Sequence, residues 1–174
     1  MLNNVCFLDR DGVLVKDVGY PHIWHSDLIL TENVNQLSRL LNHNINFIII
    51  TNQSGIGRGY FTEKQYDEFT LKMITCLLDL GLPIKDIYYC PHTPEDKCSC
   101  RKPKTGLIEQ AFSENDIKTQ NTFLIGDKLT DVYAGAEYGI KNNFLLNKDG
   151  DLLFLPFAYR NMFEICNKII EIFK

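Results

Sequence analysis

Five short apolar runs punctuate the chain: "NVCFLD" (4–9), "FIIITN" (47–52), "IYYC" (87–90), "TFLIGD" (122–127) and "NNFLLN" (142–147). Each has the length of a buried strand and is rich in β-branched or aromatic residues. Between the runs, apolar residues recur at helical spacing. Val34, Leu37, Leu40 and Leu41 predict a helix near 32–43. Thr62-Glu63-Lys64-Gln65 reads as a capping box opening a helix that runs to about Leu80. Further helices are expected near 105–114, 129–138 and 159–173. Strands alternating with helices predict an α/β fold, a parallel sheet covered on both faces in a three-layer, Rossmann-like arrangement. The stretch "DLLFLPF" (151–157) reads equally as strand or loop. With no repeat, low-complexity tract or linker to divide it, the chain 1–174 is expected to form a single domain.

Composition narrows the function classes. Hydrophobic residues make up 45 % of 174, enough for a substantial core. The net charge is −4 and no Lys/Arg run stands out, which argues against a nucleic-acid surface but leaves a small anionic substrate open. No apolar run approaches the roughly 18–20 residues of a membrane span, so no membrane partner is expected. The first strand begins almost at once, leaving no room for a signal peptide, and a cytoplasmic monomer is the expectation. In that compartment the six cysteines stay reduced. Cys6, Cys76 and Cys166 lie in apolar contexts and read as core residues.

In a parallel α/β sheet, ligands bind beyond the carboxyl ends of the strands. Asp9 and Asp11, Thr51 and Asn52, Cys90 and His92, and Asp127 all follow strand runs directly, so the polar features gather at one edge. Asp9 and Asp11 stand two apart on backbone expected to be extended, so their side chains can face the same way. Asp131 follows Asp127 by one helical turn. Burying such charges without partners is expensive. Either something positive sits there or the edge is open for chemistry, and an all-oxygen set suits Mg²⁺. The loop "CPHTPEDKCSC" supplies Cys90, His92, Cys98 and Cys100, a closed tetrahedral set that suits structural Zn²⁺ and leaves no open position. Arg101 and Lys102 follow directly, so a fixed loop fixes two cations at the same edge.

Four segments in order, "DRDGVL", "TNQSG", "RKPK" and "GDKLTD", resemble the four motifs of the haloacid dehalogenase (HAD) superfamily and span most of the chain. The resemblance implies that Asp9 is a nucleophile and Asp11 a general acid/base. It also implies Mg²⁺ held by Asp9, Asp127 and the backbone carbonyl of Asp11. Thr51, Asn52 and Lys102 can supply donors and positive charge to a transferring phosphoryl group. The gaps between motifs hold no separate cap domain, so the site is expected to be open, with specificity written in loops.

The zinc-type loop resembles two branches of the superfamily, one acting on D-glycero-D-manno-heptose 1,7-bisphosphate at the C7 phosphate, the other on histidinol phosphate. "DVGY" and "TNQSGIGRGYFTE" are closer to the heptose branch, whereas the short span from His92 to Cys98 is closer to the histidinol branch, and Thr105 stands where the heptose branch commonly has proline. The expected partner is therefore a small-molecule sugar bisphosphate. The resemblance maps Asp17, Val18, Gly19 and Tyr20 onto a substrate loop, and the second motif adds Thr51, Asn52, Gln53 and Ser54 to the expected contacts. Arg101, beside Lys102, is expected to take a second anion; Arg58 reads equally well as a solvated surface arginine. The alternatives are the histidinol-phosphate enzyme, a phosphatase of nucleic-acid 3′-ends, and a zinc-stiffened binding module without catalysis.

Overall fold

The computed structural model describes residues 2–118 and 121–173. Six parallel strands form one sheet in the order β3-β2-β1-β4-β5-β6. They are β1 (Asn4–Leu8), β2 (Ile45–Asn52), β3 (Ile84–Cys90), β4 (Thr122–Gly126), β5 (Asn142–Leu146) and β6 (Ala158–Tyr159). The five predicted runs are the first five strands. The helices are α1 (Thr31–Ser38), α2 (Ser54–Gly57), α3 (Glu63–Asp79), α4 (Gly106–Asn115), α5 (Leu129–Tyr138) and α6 (Met162–Glu171).

Alternation along the strands builds the layers. On β1, Cys6 and Leu8 join a buried cluster with Val34 of α1, Phe69 and Met73 of α3, and Ile165 of α6. Val5 and Phe7 face the other way, into a cluster with Leu107 and Ile108 of α4 and Ala134 of α5. Successive residues of one strand thus feed two cores, and the sheet is covered on both sides. The capping box opens α3 as predicted: Gln65 N donates to Thr62 Oγ1 at 3.2 Å, and Thr62 N donates to Gln65 Oε1 at 2.9 Å.

Strands β2 and β3 start two and three residues before the predicted runs, and two helix boundaries differ from the sequence reading. The helix expected over 32–43 changes to a 3-10 segment at Arg39–His43 and stops at Asn44, which takes a left-handed φ of 55°. The last helix starts at Met162, because Ala158–Tyr159 pairs with β5 and Asn161 then caps the helix by accepting from Glu164 N at 3.0 Å. The ambiguous "DLLFLPF" forms turns, with Phe154 78 % exposed. Among the described residues, no helix is long and apolar enough to cross a membrane.

The strand order reverses between β1 and β4. The crevice beyond their carboxyl ends is where such sheets bind ligands. Leu8 lies beside Ile125, so Asp9 and Asp127 emerge side by side from this switch point.

Candidate active site

Asp9, Asp127 and Asp131 offer carboxylate oxygens that all lie within 4.8 Å of one another. The positive charge that makes this tolerable comes from Lys102. Its ammonium lies 2.8 Å from Asp9 Oδ1, 2.6 Å from Asp131 Oδ1 and 2.7 Å from the Ile50 carbonyl. Lys102 is only 3 % exposed. Burial alone would lower its pKa, but the Asp131 and Asp9 charges outweigh it and hold the ammonium firmly protonated.

Asp127 is less well compensated. Burial, followed by the Asp9 charge, raises its carboxyl to about 7 against the pull of Lys128. Its Oδ1 is buried with no hydrogen-bond partner. An orphaned carboxylate oxygen beside two further acidic side chains fits a divalent cation such as Mg²⁺. Close packing holds it there. Gly12 has a φ of +81°, and a Cβ at that position would collide with the Asp127 carboxylate.

Asp131 is positioned by its place in α5. As the third helical residue it accepts from the Lys128 backbone N–H at 3.0 Å, the geometry of an acidic N-terminal turn. It is 2 % exposed, and its burial raises its pKa against the lowering effect of Lys102. The spacing within "GDKLTD" placed it near the edge, but the sequence did not reveal that it would share Lys102 with Asp9.

Asp9 and Asp11 both line one cavity, although the backbone between them is not extended. The chain leaves the strand after Leu8 and turns, with Leu14 N and Val15 N both donating to the Arg10 carbonyl at 2.9 and 3.0 Å. The period-two rule ends with the strand. The Asp11 carboxylate is not among the three clustered ones and pairs with Arg10: Nε to Oδ1 and Nη2 to Oδ2, each at 3.0 Å. Gln53 Nε2 also donates to Asp11 Oδ2 at 3.0 Å and to Thr51 Oγ1 at 2.9 Å. Burial raises the Asp11 pKa, with the Arg10 charge opposing.

A cavity of about 620 Å³ opens over these groups. Of the expected substrate contacts, Asp17, Gly19, Tyr20, Asn52, Gln53 and Ser54 line it, together with Arg101 and Lys102. Val18 does not: it is 62 % exposed and lines a separate surface hollow. Thr51 is buried beneath the lining, and Arg58 is exposed outside it. Asn52 lines the cavity while its amide clamps the Lys102 backbone, accepting from Lys102 N at 3.0 Å and donating to Lys102 O at 3.1 Å. Lys128 and Thr130 also line the cavity and were not anticipated. The Lys128 ammonium lies 2.9 Å from Asp17 Oδ2, which joins the substrate-side loop to α5.

The thiol loop stands beside this cavity. Cys90, His92, Cys98 and Cys100 bring their ligand atoms within 4.8 Å of one another. The sulfur separations are 3.6, 3.0 and 3.4 Å, and His92 Nδ1 lies 3.2 Å from Cys100 Sγ. A tetrahedral zinc–thiolate centre with bonds of about 2.3 Å has sulfur–sulfur edges of about 3.8 Å, so the set fits zinc with little adjustment. Burial opposes the Cys98 thiolate, but the Arg101 backbone N–H and the neighbouring thiols bring its pKa down to about 7. The loop is tied down elsewhere as well. Lys104 Nζ donates to the carbonyls of Lys97 and Cys98, and Arg101 Nη1 donates to the His92 carbonyl at 3.2 Å.

Comparison with known proteins adds a family context. The family described as "Polynucleotide kinase 3 phosphatase" matches residues 4–149. A D-glycero-alpha-D-manno-heptose-1,7-bisphosphate 7-phosphatase from Photorhabdus laumondii is 40 % identical over 178 residues, covering 96 % of both chains. A D-glycero-beta-D-manno-heptose-1,7-bisphosphate 7-phosphatase from Helicobacter pylori is 40 % identical over 151 residues, covering 84 % of this chain and 85 % of that one. The crystal structure of a D,D-heptose 1,7-bisphosphate phosphatase from B. bronchiseptica, complexed with magnesium and phosphate, superimposes with a TM-score of 0.83 at 26 % identity, covering 97 % of this chain and 98 % of the other.

Proposed function

We infer the reaction from this premise: the chain belongs to the polynucleotide kinase 3 phosphatase family, and within the HAD superfamily to the D-glycero-D-manno-heptose-1,7-bisphosphate 7-phosphatases. It is a phosphoric monoester hydrolase that removes the C7 phosphate of D-glycero-D-manno-heptose 1,7-bisphosphate. The observation that carries the reading is the buried Lys102 ammonium between Asp9 and Asp131, with Asp127 beside them under a polar cavity.

The residues divide the work as follows. The Asp9 carboxylate attacks phosphorus, the bond to the sugar oxygen breaks, and an aspartyl-phosphate forms. Asp11 gives its proton to the departing sugar alkoxide, then takes one from the water that attacks the aspartyl-phosphate, and inorganic phosphate leaves. Lys102 and the Thr51 hydroxyl stabilise charge on the transferring oxygens. Asp9, Asp127 and the backbone carbonyl of Asp11 would hold Mg²⁺, which when bound offsets the charge of the phosphoryl group. Asp131 keeps Lys102 in place. Arg101 and Lys128, both at the cavity wall, receive the second phosphate. Cys90, His92, Cys98 and Cys100 hold structural Zn²⁺ and so fix Arg101 and Lys102. The proposed compartment is the cytoplasm, where thiols stay reduced and free to bind zinc.

Phosphate release from a substrate panel tests the reading. The relatives' names include both α and β anomers, so the panel holds both heptose bisphosphates, histidinol phosphate and a 3′-phosphorylated oligonucleotide. A heptose bisphosphate is expected to give a kcat/KM at least about 100-fold above the other two classes, a difference of about 2.7 kcal/mol in transition-state binding. Preference for histidinol phosphate or for the oligonucleotide overturns the substrate assignment.

A further inference from the structure

Arg10 stands between the two carboxylates of the first motif and takes no part in the steps above. It is nevertheless 1 % exposed, and its guanidinium grips Asp11 through two hydrogen bonds of 3.0 Å. Its Cζ lies 4.9 Å from the centroid of the Phe69 ring and 5.9 Å from that of Tyr66, both on α3. Nη2 also donates to the Pro21 carbonyl at 3.3 Å, in the loop that brings Asp17 and Tyr20 to the cavity. Burying a guanidinium is costly unless it is paired. Planar stacking and a two-pronged grip are what arginine supplies and lysine does not.

We propose that Arg10 is a positioning residue for proton transfer: it holds the Asp11 carboxyl in one orientation and ties it to the substrate-side loop, so that the proton meets the leaving oxygen. The inference rests on the phosphatase reading. It assigns Arg10 to the proton transfers made by Asp11, of which the leaving-group step is the one the leaving group can isolate, with Asp9, Lys102 and the metal-binding carboxylates unaffected. Gln53 Nε2 donates to the same Asp11 oxygen as Arg10 Nη2, so the carboxyl has two separate partners.

Leaving groups separate this role from a general structural one. A sugar alkoxide needs a proton to depart, whereas p-nitrophenolate leaves without one. In the Mg²⁺- and Zn²⁺-loaded enzyme, Arg10→Met is expected to slow single-turnover cleavage of the heptose bisphosphate by about 10²-fold, the range of a general acid. The pre-steady-state burst of p-nitrophenol from p-nitrophenyl phosphate is expected to fall less than about threefold. In an Asp11→Asn background, Arg10→Met is expected to cost no further rate, because two residues acting through one group are not additive. Should Arg10→Met fail to fold, Arg10→Lys keeps the charge, loses the two-pronged grip and should show the same selectivity with a smaller loss. Equal losses on both substrates, or a full additional loss in the Asp11→Asn background, overturn the proposal. Wild-type turnover is measured alongside: its absence refutes both readings, whereas an active wild type with parallel losses refutes only the role of Arg10.

Discussion

The acidic edge and the thiol loop both gather ligand atoms within 4.8 Å, yet they are built in opposite ways. The thiol set comes from eleven consecutive residues, Cys90 to Cys100, on one strand end and one loop. The acidic set joins Asp9 to Asp127 and Asp131 across the β1/β4 switch point, and its balancing Lys102 lies 93 positions from Asp9. The local set is soft and closed. The distant set is hard and crowded, and it leaves one buried oxygen of Asp127 without a hydrogen-bond partner. A cluster made locally suits scaffolding, because its geometry survives changes elsewhere. One assembled by the sheet suits chemistry, because its members arrive on separate rigid elements, two strand ends and the first turn of α5, that can be aimed separately.

If the division between chemistry and scaffold holds, substitutions at the two sets should fail differently. The largest effect is expected from Asp9→Asn, which removes the attacking charge. Phosphate release should fall by about 10⁴-fold or more, while zinc content measured by elemental analysis stays unchanged. Retained turnover, or lost zinc, would break the separation. Next comes Cys98→Ser. It should lower bound zinc and the melting temperature, by about 5 °C or more, with activity falling about tenfold as Arg101 and Lys102 lose their fixed loop. Zinc lost with no change in melting temperature would show that the loop stands without it. The smallest effect is expected at the join. Asn52→Ala removes two hydrogen bonds to the Lys102 backbone, worth together about 2 kcal/mol, so the melting temperature should drop by about 4–8 °C. KM should rise only a few-fold. A loss as large as that of Asp9→Asn would mean that Asn52 touches the phosphoryl group directly.

Legibility followed the same divide. The strands could be read because each apolar run is continuous over its own length, and the thiol set because its ligands are neighbours in the chain. The register that sets Leu8 beside Ile125 is not written in either strand alone, yet it puts Asp9 next to Asp127. Nothing in the order of residues marks Arg10 as buried; only its packing against Phe69 and Tyr66 does. Val18 shared a motif with Tyr20 but turns to solvent. The sequence pattern covers the loop as a whole, while the left-handed φ values of 70° at Gly19 and 32° at Tyr20 decide which side chains reach the cavity.

From residue order alone came the α/β alternation, the edge at which polar groups collect and the chemical nature of both ligand sets, because periodicity and donor type are local properties. The tertiary structure alone decided which cation each aspartate meets: Lys102 for Asp9 and Asp131, Arg10 for Asp11. The reason is physical. Beyond the end of a strand no periodicity governs where a side chain points, and the pairing of buried charges is settled by segments that meet only when the sheet has formed.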